Sequence, residues 1–368
     1  MKLIHCADLH LDAKMTASLT KEKAGERRKE LLLTFERMVK YASENQVEAI
    51  LIAGDLFDTK SVSATVCHRV EEAVLGHPDI TFFYLKGNHD TGHFLAELRQ
   101  IPDNLKLFGE EWVSYSLGKQ GKITVSGIEF SEKNQGSAYH SLVLDPAKFN
   151  IVMLHGQEAE TGAKDKAQVI RLRELKNKGI DYLALGHVHR YREEPLDGRG
   201  VWCYPGCLEG RGFDECGTHG FVLLQVEEQT GACTRQFVPF ALRTLHTVEV
   251  DVSGCMRTGN MVERLETVLA GEKIPPRDFV KIVLTGSLDV ECEKDLTYLE
   301  KRLEQDYYFL KIQDETKLRV DIRDFLLDES LKGEFVRLVM AAEELPEEER
   351  AAVIRCGLQA LAGEEVAV

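Results

Sequence analysis

Five short apolar runs recur through the first half of the chain, at Lys2–Cys6, Ala49–Ala53, Thr81–Leu85, Asn150–Leu154 and Asp181–Leu185. Near-continuous hydrophobicity over so few residues suits strands covered on both faces better than helices, which need more length and a longer period. Helical patterning separates several of these runs. It is clearest at Arg27–Glu44, where Leu31, Leu32, Phe35, Met38 and Val39 form an apolar stripe. The alternation predicts an α/β fold.

A polar motif stands at the tail of every run: Asp8-Leu9-His10, Gly54-Asp55-Leu56-Phe57-Asp58, Gly87-Asn88-His89-Asp90, His155-Gly156 and Gly186-His187-Val188-His189. In open α/β sheets, ligands gather outside the carboxyl ends of the strands. The glycines at 54, 87, 156 and 186 let the backbone turn sharply there and leave space for an ion. Each motif alone is weak, because a single strand histidine is usually a packed core residue and Gly-Asp is usually a turn. Five in succession are not explained that way. Carboxylates, an amide and several imidazoles are the donors that two adjacent divalent cations require, and they predict a metal-dependent phosphoester hydrolase. His5, His68, His77, His93, His140, His219 and His246 lack this setting and are expected at the surface or in packing.

These motifs resemble the D-x-H, G-D-x-x-D, G-N-H-D, H-G and G-H-x-H series of the calcineurin-like metallophosphoesterases, and within them the SbcD-type DNA repair nucleases. The resemblance covers roughly residues 1–240, with no ligand position missing. The later segment Tyr204-Pro205-Gly206-Cys207-Leu208-Glu209-Gly210-Arg211-Gly212-Phe213 is similar to the Y-P-G-S-x-E-x-x-x-F stretch of the nuclease branch. The resemblance implies an α/β fold of metallophosphoesterase type, a four-layer αββα β-sandwich flanked by helices. It also implies two ligand sets. One metal would take Asp8, His10, Asp55 and His189, and the other Asp55, Asn88, His155 and His187. Asp55 would then bridge two cations about 3.5–4 Å apart and offset their repulsion. This donor mixture suits manganese, iron or zinc better than calcium or magnesium. The family usually works with manganese, which is the expectation here.

His89, next to a ligand but not one itself, is the expected catalytic residue, protonating the leaving oxygen or stabilising the transition state. Asp58 has two readings: it holds His89 in the right tautomer, or it caps the helix that follows. Asp90 is expected to be structural. Arg190, Arg192, Arg199 and Arg211 surround the last metal motif, and Arg190 and Arg211 are the candidate ligands of substrate phosphate. A second basic stretch comprises Lys164, Lys166, Arg171, Arg173, Lys176 and Lys178, and by itself it fits a solvated helix face better than a phosphate site. Two positions depart from the family pattern: Asp12 stands where many relatives have glycine, and Cys207 replaces a common serine.

Charge complicates the nucleic-acid reading. The net charge is −15. Residues 1–243 carry 30 basic and 34 acidic side chains, and residues 244–368 carry 16 and 27, so the acidity concentrates in the second part. Tight DNA binding therefore calls for a basic partner. No apolar run is long enough to span a membrane. Removal of a signal peptide would delete Asp8 and His10, so none is expected. Nine cysteines without C-x-x-C spacing read as reduced thiols in a cytoplasm.

The chain changes character near residue 243. Leu245–Val252, Phe279–Thr285, Tyr307–Ile312 and Lys317–Ile322 read as strands, with helices at Met261–Leu269 and Cys292–Leu303 between them. Three parts are therefore expected: a catalytic domain at 1–243, a small α+β capping domain at 244–328 and a helical segment at 329–368. In the last, Ser330 caps a helix carrying Leu331, Phe335, Leu338 and Val339, and Pro346 opens another carrying Ala351, Ile354, Leu358 and Leu361. The resemblance implies that such helices dock onto an SMC-like ATPase of SbcC type, although packing on their own domain is an equal alternative. The expected function is a manganese-dependent DNA exonuclease or endonuclease working with that ATPase, with a homodimer also open. The alternative is a phosphodiesterase or phosphatase acting on a small molecule or nucleotide at the same metals. Cleavage polarity and strand preference are not readable from the sequence.

Overall fold

The computed structural model describes all residues except 16–18, 59–61, 91–92, 99, 132, 135, 159–168, 290–291, 320–324, 326, 343–344 and 362–368. Lys164 and Lys166 of the second basic stretch fall outside the described residues. Two compact units divide the chain, Met1–Thr244 and Leu245–Val368.

The first unit contains strands β1 (Lys2–Cys6), β2 (Ala49–Ala53), β3 (Thr81–Leu85), β4 (Leu105–Leu107), β5 (Val113–Leu117), β6 (Ile123–Gly127) and β7 (Phe149–His155). There follow β8 (Gln157–Glu158), β9 (Val169–Ile170), β10 (Tyr182–Gly186), β11 (Arg192–Pro195), β12 (Val201–Tyr204), β13 (Gly220–Val226) and β14 (Cys233–Pro239). One six-stranded sheet runs β14-β13-β1-β2-β3-β4, and a second runs β11-β12-β10-β7-β6-β5. Within them β1 to β4 are mutually parallel, as are β6, β7, β10 and β12, while β13, β14, β5 and β11 pair antiparallel at the flanks.

Why every central run reads as continuously apolar follows from the layers. Successive residues of a strand point to opposite faces, and here both faces are covered. Leu3, Leu51, Phe83, Val125, Ile151, Met153 and Ala184 meet in the core between the sheets. On the other face of the first sheet, Ile4, Ile50, Ile52 and Phe82 pack against Leu31, Phe35 and Met38 of the helix Lys21–Glu44 and Val70 of the helix Ala64–Leu75. Outside the second sheet, Val152, Leu154, Leu183 and Trp202 are covered by Tyr139, Leu142 and Leu175. The result is an αββα arrangement of four layers. His5 falls in the inter-sheet layer, buried, with Nδ1 2.8 Å from the Tyr182 hydroxyl.

The second unit holds a parallel three-stranded sheet of β15 (Leu245–Asp251), β16 (Phe279–Thr285) and β18 (Phe309–Asp314). A short pair lies beside it, β17 (Ser287–Asp289) with β19 (Lys317–Arg319). Helices Thr258–Glu272 and Leu296–Leu303 connect the strands and share their core through Met261, Leu265, Leu299 and Leu303. Helices Leu331–Met340 and Glu347–Leu361 pack on each other around Val336, Val339, Ile354 and Leu358, with Ser330 Oγ accepting from Gly333 N–H as the cap. Among the described residues no helix is long and apolar enough to cross a membrane. All nine cysteines are free thiols.

Candidate metal centre

The carboxyl ends of β1, β2 and β3 in one sheet and β7 and β10 in the other converge at one rim of the sandwich. Asp8 N–H donates to Gly54 O at 3.1 Å, and His187 N–H crosses from the second sheet to the Asp8 carboxylate at 3.0 Å. The sheets can approach this closely only because two glycines carry no side chain. A Cβ on Gly54 would lie 2.1 Å from His155 Nδ1, and one on Gly186 would lie 1.9 Å from Ala53 O. Backbone strain gathers at the same rim. Of eight positive-φ residues other than glycine among the described ones, four are Asp8, His10, Asp55 and His187. Each such conformation costs on the order of 1–3 kcal/mol and persists where the surroundings impose it, commonly at functional sites.

All seven predicted ligands are brought together. Asp8, His10 and His189 form one group whose donor atoms lie within 4.8 Å of one another, and Asp8, Asp55 and His155 form another. Asn88 Oδ1 and His187 complete the second side, with Oδ1 3.0 Å from His155 Nε2 and 3.3 Å from His187 Nδ1. Asp55 Oδ2 stands between the groups, 3.9 Å from His10 Nε2 and 3.4 Å from His155 Nε2.

Tautomers test whether these residues suit a cation. His155 Nδ1 lies 2.9 Å from Ala53 O, an acceptor only, so Nδ1 carries the proton and a neutral ring turns the lone pair of Nε2 toward Asn88 and Asp55. His189 Nδ1 is 2.6 Å from Glu215 Oε1 and His10 Nδ1 is 2.9 Å from Asp58 Oδ1, which leaves their two Nε2 atoms facing each other at 3.1 Å. Potential donor atoms for a metal thus crowd a small volume, an arrangement that divalent cations satisfy. The residues fit the two-metal group.

The electrostatics show the same concentration. Burial opposes ionisation of Asp55, but His155 and His10 outweigh it and hold its carboxyl well below the usual range. Burial disfavours a charged His155, yet Asp55 beside it lifts that imidazole to about 9, so Nε2 holds a proton that a bound cation would displace. Burial pulls His10 down despite Asp58. Burial dominates at Asp90 and raises it to about 6, although backbone N–H groups of Gly87 and Phe57 donate to it. Asp90 therefore ties the β2 and β3 termini together.

Among the described residues Asp58 caps no helix. The next helix begins at Ala64 with Ser63 in the cap position, and the Asp58 carboxylate faces His10, His89 at 3.3 Å and Arg211 at 3.2 Å. His89 donates its N–H to Asp55 Oδ1 at 2.8 Å while its side chain stays half exposed. Arg190 is exposed and lines a cavity of about 790 Å³ with His189, Tyr191 and Phe237. Arg211 instead spans Asp58 and Glu215. Glu215 is the site residue that the motifs miss. It sits 26 positions after His189 in sequence, and only the fold makes them neighbours. Glu209 of the same segment is buried against Arg27 and Thr34 of the long helix, which anchors the loop.

A model of the family described as calcineurin-like phosphoesterase matches residues 1–191. The chain belongs to the calcineurin-like phosphoesterases. Members of this family use a dinuclear metal centre, and the clustered His and Asp groups are candidates for it. The chain is 31% identical over 239 residues to a Bacillus subtilis protein described as uncharacterized metallophosphoesterase YhaO, covering 61% of this chain and 57% of that one. It is 24% identical over 266 residues to the DNA double-strand break repair protein Mre11 of Methanosarcina acetivorans, covering 68% of this chain and 41% of that one. The Mre11 of Methanopyrus kandleri is 27% identical over 324 residues, with 80% and 67% covered. This chain thus spans about half the length of the first two relatives.

Proposed function

We propose that this calcineurin-like phosphoesterase is a manganese-dependent DNA nuclease of SbcD type, acting in the cytoplasm with an SMC-like ATPase. The observation that carries the phosphodiesterase reading is the meeting of seven donors at five strand ends, with an uncoordinated imidazole, His89, beside them. Asp8, His10, Asp55 and His189 would hold one metal, and Asp55, Asn88, His155 and His187 the other. Such cations supply polarisation of phosphate oxygens and a hydroxide at neutral pH. The chain's own residues do the rest. Asp55 keeps the two ligand groups together and, through the His89 N–H, positions the loop that carries the acid. The Asp58 carboxylate lies 3.3 Å from His89 Nδ1 and orients that ring, whose exposed side can then deliver a proton to the departing deoxyribose oxygen.

Three features support DNA as substrate: the repair-nuclease segment Tyr204–Phe213, the likeness to proteins named for double-strand break repair, and the exposed Arg190 beside the centre. The C-terminal helix pair supports a protein partner, since Leu331, Leu338 and Val353 are exposed on it. The net charge of −15 favours the second reading, a small-molecule or nucleotide phosphodiesterase. Manganese-dependent degradation of linear duplex and single-stranded DNA separates them, with bis-nitrophenyl phosphate as the control substrate and His89→Ala beside the native chain. DNA cleavage that His89→Ala lowers by about 10²–10⁴-fold with metals retained is the expected result. Turnover of the small diester with DNA intact, even after the ATPase is added, refutes the nuclease reading.

A further inference from the structure

Behind the metal centre runs a charged strut that the motifs do not assign. His10 and His189 present their Nε2 atoms to each other, and each is backed by a carboxylate on Nδ1, Asp58 at 2.9 Å and Glu215 at 2.6 Å. Arg211 joins the two carboxylates. One end of its guanidinium lies 3.2 Å from Asp58 Oδ1, and the other donates to Glu215 Oε1 at 3.0 Å. Its backbone N–H also donates to Glu215 Oε2 at 2.7 Å, so Glu215 is held from both sides. A neutral imidazole has one N–H, and whichever nitrogen a carboxylate holds keeps it. The orientation of the His189 ring is therefore decided behind the site, and the Asp58 carboxylate stands against His10 Nδ1 as a charge partner. Without a cation between them, Asp58 and Glu215 have less reason to stay aimed at their histidines. A guanidinium is a rigid planar fork that can bridge two carboxylates at once, which an ammonium cannot.

We infer that Arg211 is a positioning residue: by bridging Asp58 and Glu215 it turns Nε2 of His189 toward the metals and holds the Asp58 charge against His10, and it does not bind substrate phosphate. The inference rests on the metal-centre reading above. Both ends of its guanidinium are engaged, and the side chain is mostly covered.

Calorimetric titration of Mn²⁺ into chelator-stripped protein, without substrate, tests it on the native chain, Arg211→Gln and Arg211→Lys. Arg211→Gln is expected to weaken manganese binding on the order of ten- to hundredfold, the usual effect of losing a partner behind a ligand histidine. Arg211→Lys should recover only part of this. KM for bis-nitrophenyl phosphate at saturating Mn²⁺ should stay at the native value in both. Glu215→Gln should weaken binding comparably, and combining it with Arg211→Gln should add little, because both act through His189. Melting curves in chelator check the fold, and Glu215→Gln carries the test if Arg211→Gln is unfolded. Native manganese affinity with a raised KM in Arg211→Gln would make it a phosphate ligand and overturn the inference, as would fully additive losses in the double variant. Absence of metal binding by the native chain would overturn the metal-centre reading and this inference with it.

Discussion

Gly87→Ala isolates the precision of the site from its chemistry, because no proposed ligand or acid is altered. The backbone at Gly87 lies outside the left-handed region, so alanine meets no intrinsic strain there. What it meets is Asp55: the added Cβ would lie 2.2 Å from Oδ1 and 2.5 Å from the backbone nitrogen, and separations under 3.0 Å do not persist. Relief requires Oδ1 to move by 0.8 Å or more, away from the His89 N–H that fixes it at 2.8 Å. Misplacement of about 1 Å costs about 10²-fold in rate, or about 2.7 kcal/mol of transition-state stabilisation. Overpacking adds about 1–3 kcal/mol to the stability cost. The assay is kcat/KM on bis-nitrophenyl phosphate at saturating Mn²⁺, with manganese affinity and melting temperature measured alongside. Gly25→Ala, where nothing lies within 4 Å of the new Cβ, serves as the control and should match the native chain in turnover and manganese affinity. Native turnover and affinity in Gly87→Ala would refute the claim that Asp55 is held at an obligatory position between the two ligand groups.

The remaining expectations concern charge and the core. Asp55→Asn keeps the shape of the side chain but removes its charge, and calorimetry should find manganese binding lost while the chelator-treated protein stays folded. His5 is held near 3 by burial, below its ordinary 6.5, so the unfolded chain takes up the extra proton. Its stabilising contribution is full above about pH 6.5 and is lost as pH falls toward 3, the loss reaching about 2 kcal/mol at pH 5. Between pH 8 and 5, His5→Asn should therefore lose about 2 kcal/mol less stability than the native chain in urea titrations. Arg27 is buried and donates to Glu209 and Gly210 O, so Arg27→Ala should cost about 3–5 kcal/mol in the same titrations by stranding Glu209.

Strand identity and the seven metal-type donors were readable from the residues themselves, whereas the four-layer αββα class came from the family resemblance. A strand buried on both faces advertises itself as an unbroken apolar run, and ligands at strand ends lie beside those runs in sequence. Local chemistry of this kind needs no partner to be recognised. The two readings of Asp58 could not be separated that way, because cap and histidine partner look alike until the helix is found to start at Ala64. Arg211 was expected at substrate phosphate for a similar reason: an arginine near a metal motif carries the same signal whichever way it points. Only packing of the loop through buried Glu209 onto Arg27 and Thr34 brings Glu215 behind His189 and sets Arg211 between two carboxylates. His5 was likewise undistinguished in sequence, and its burial against Tyr182 follows from the pairing of two sheets. The sequence by itself determined which residues offer metal-type donors, because donor type and strand-end position are local properties. Which proton each histidine holds, and which charge neutralises which, was decided by the tertiary structure, because those depend on contacts between segments far apart in the chain.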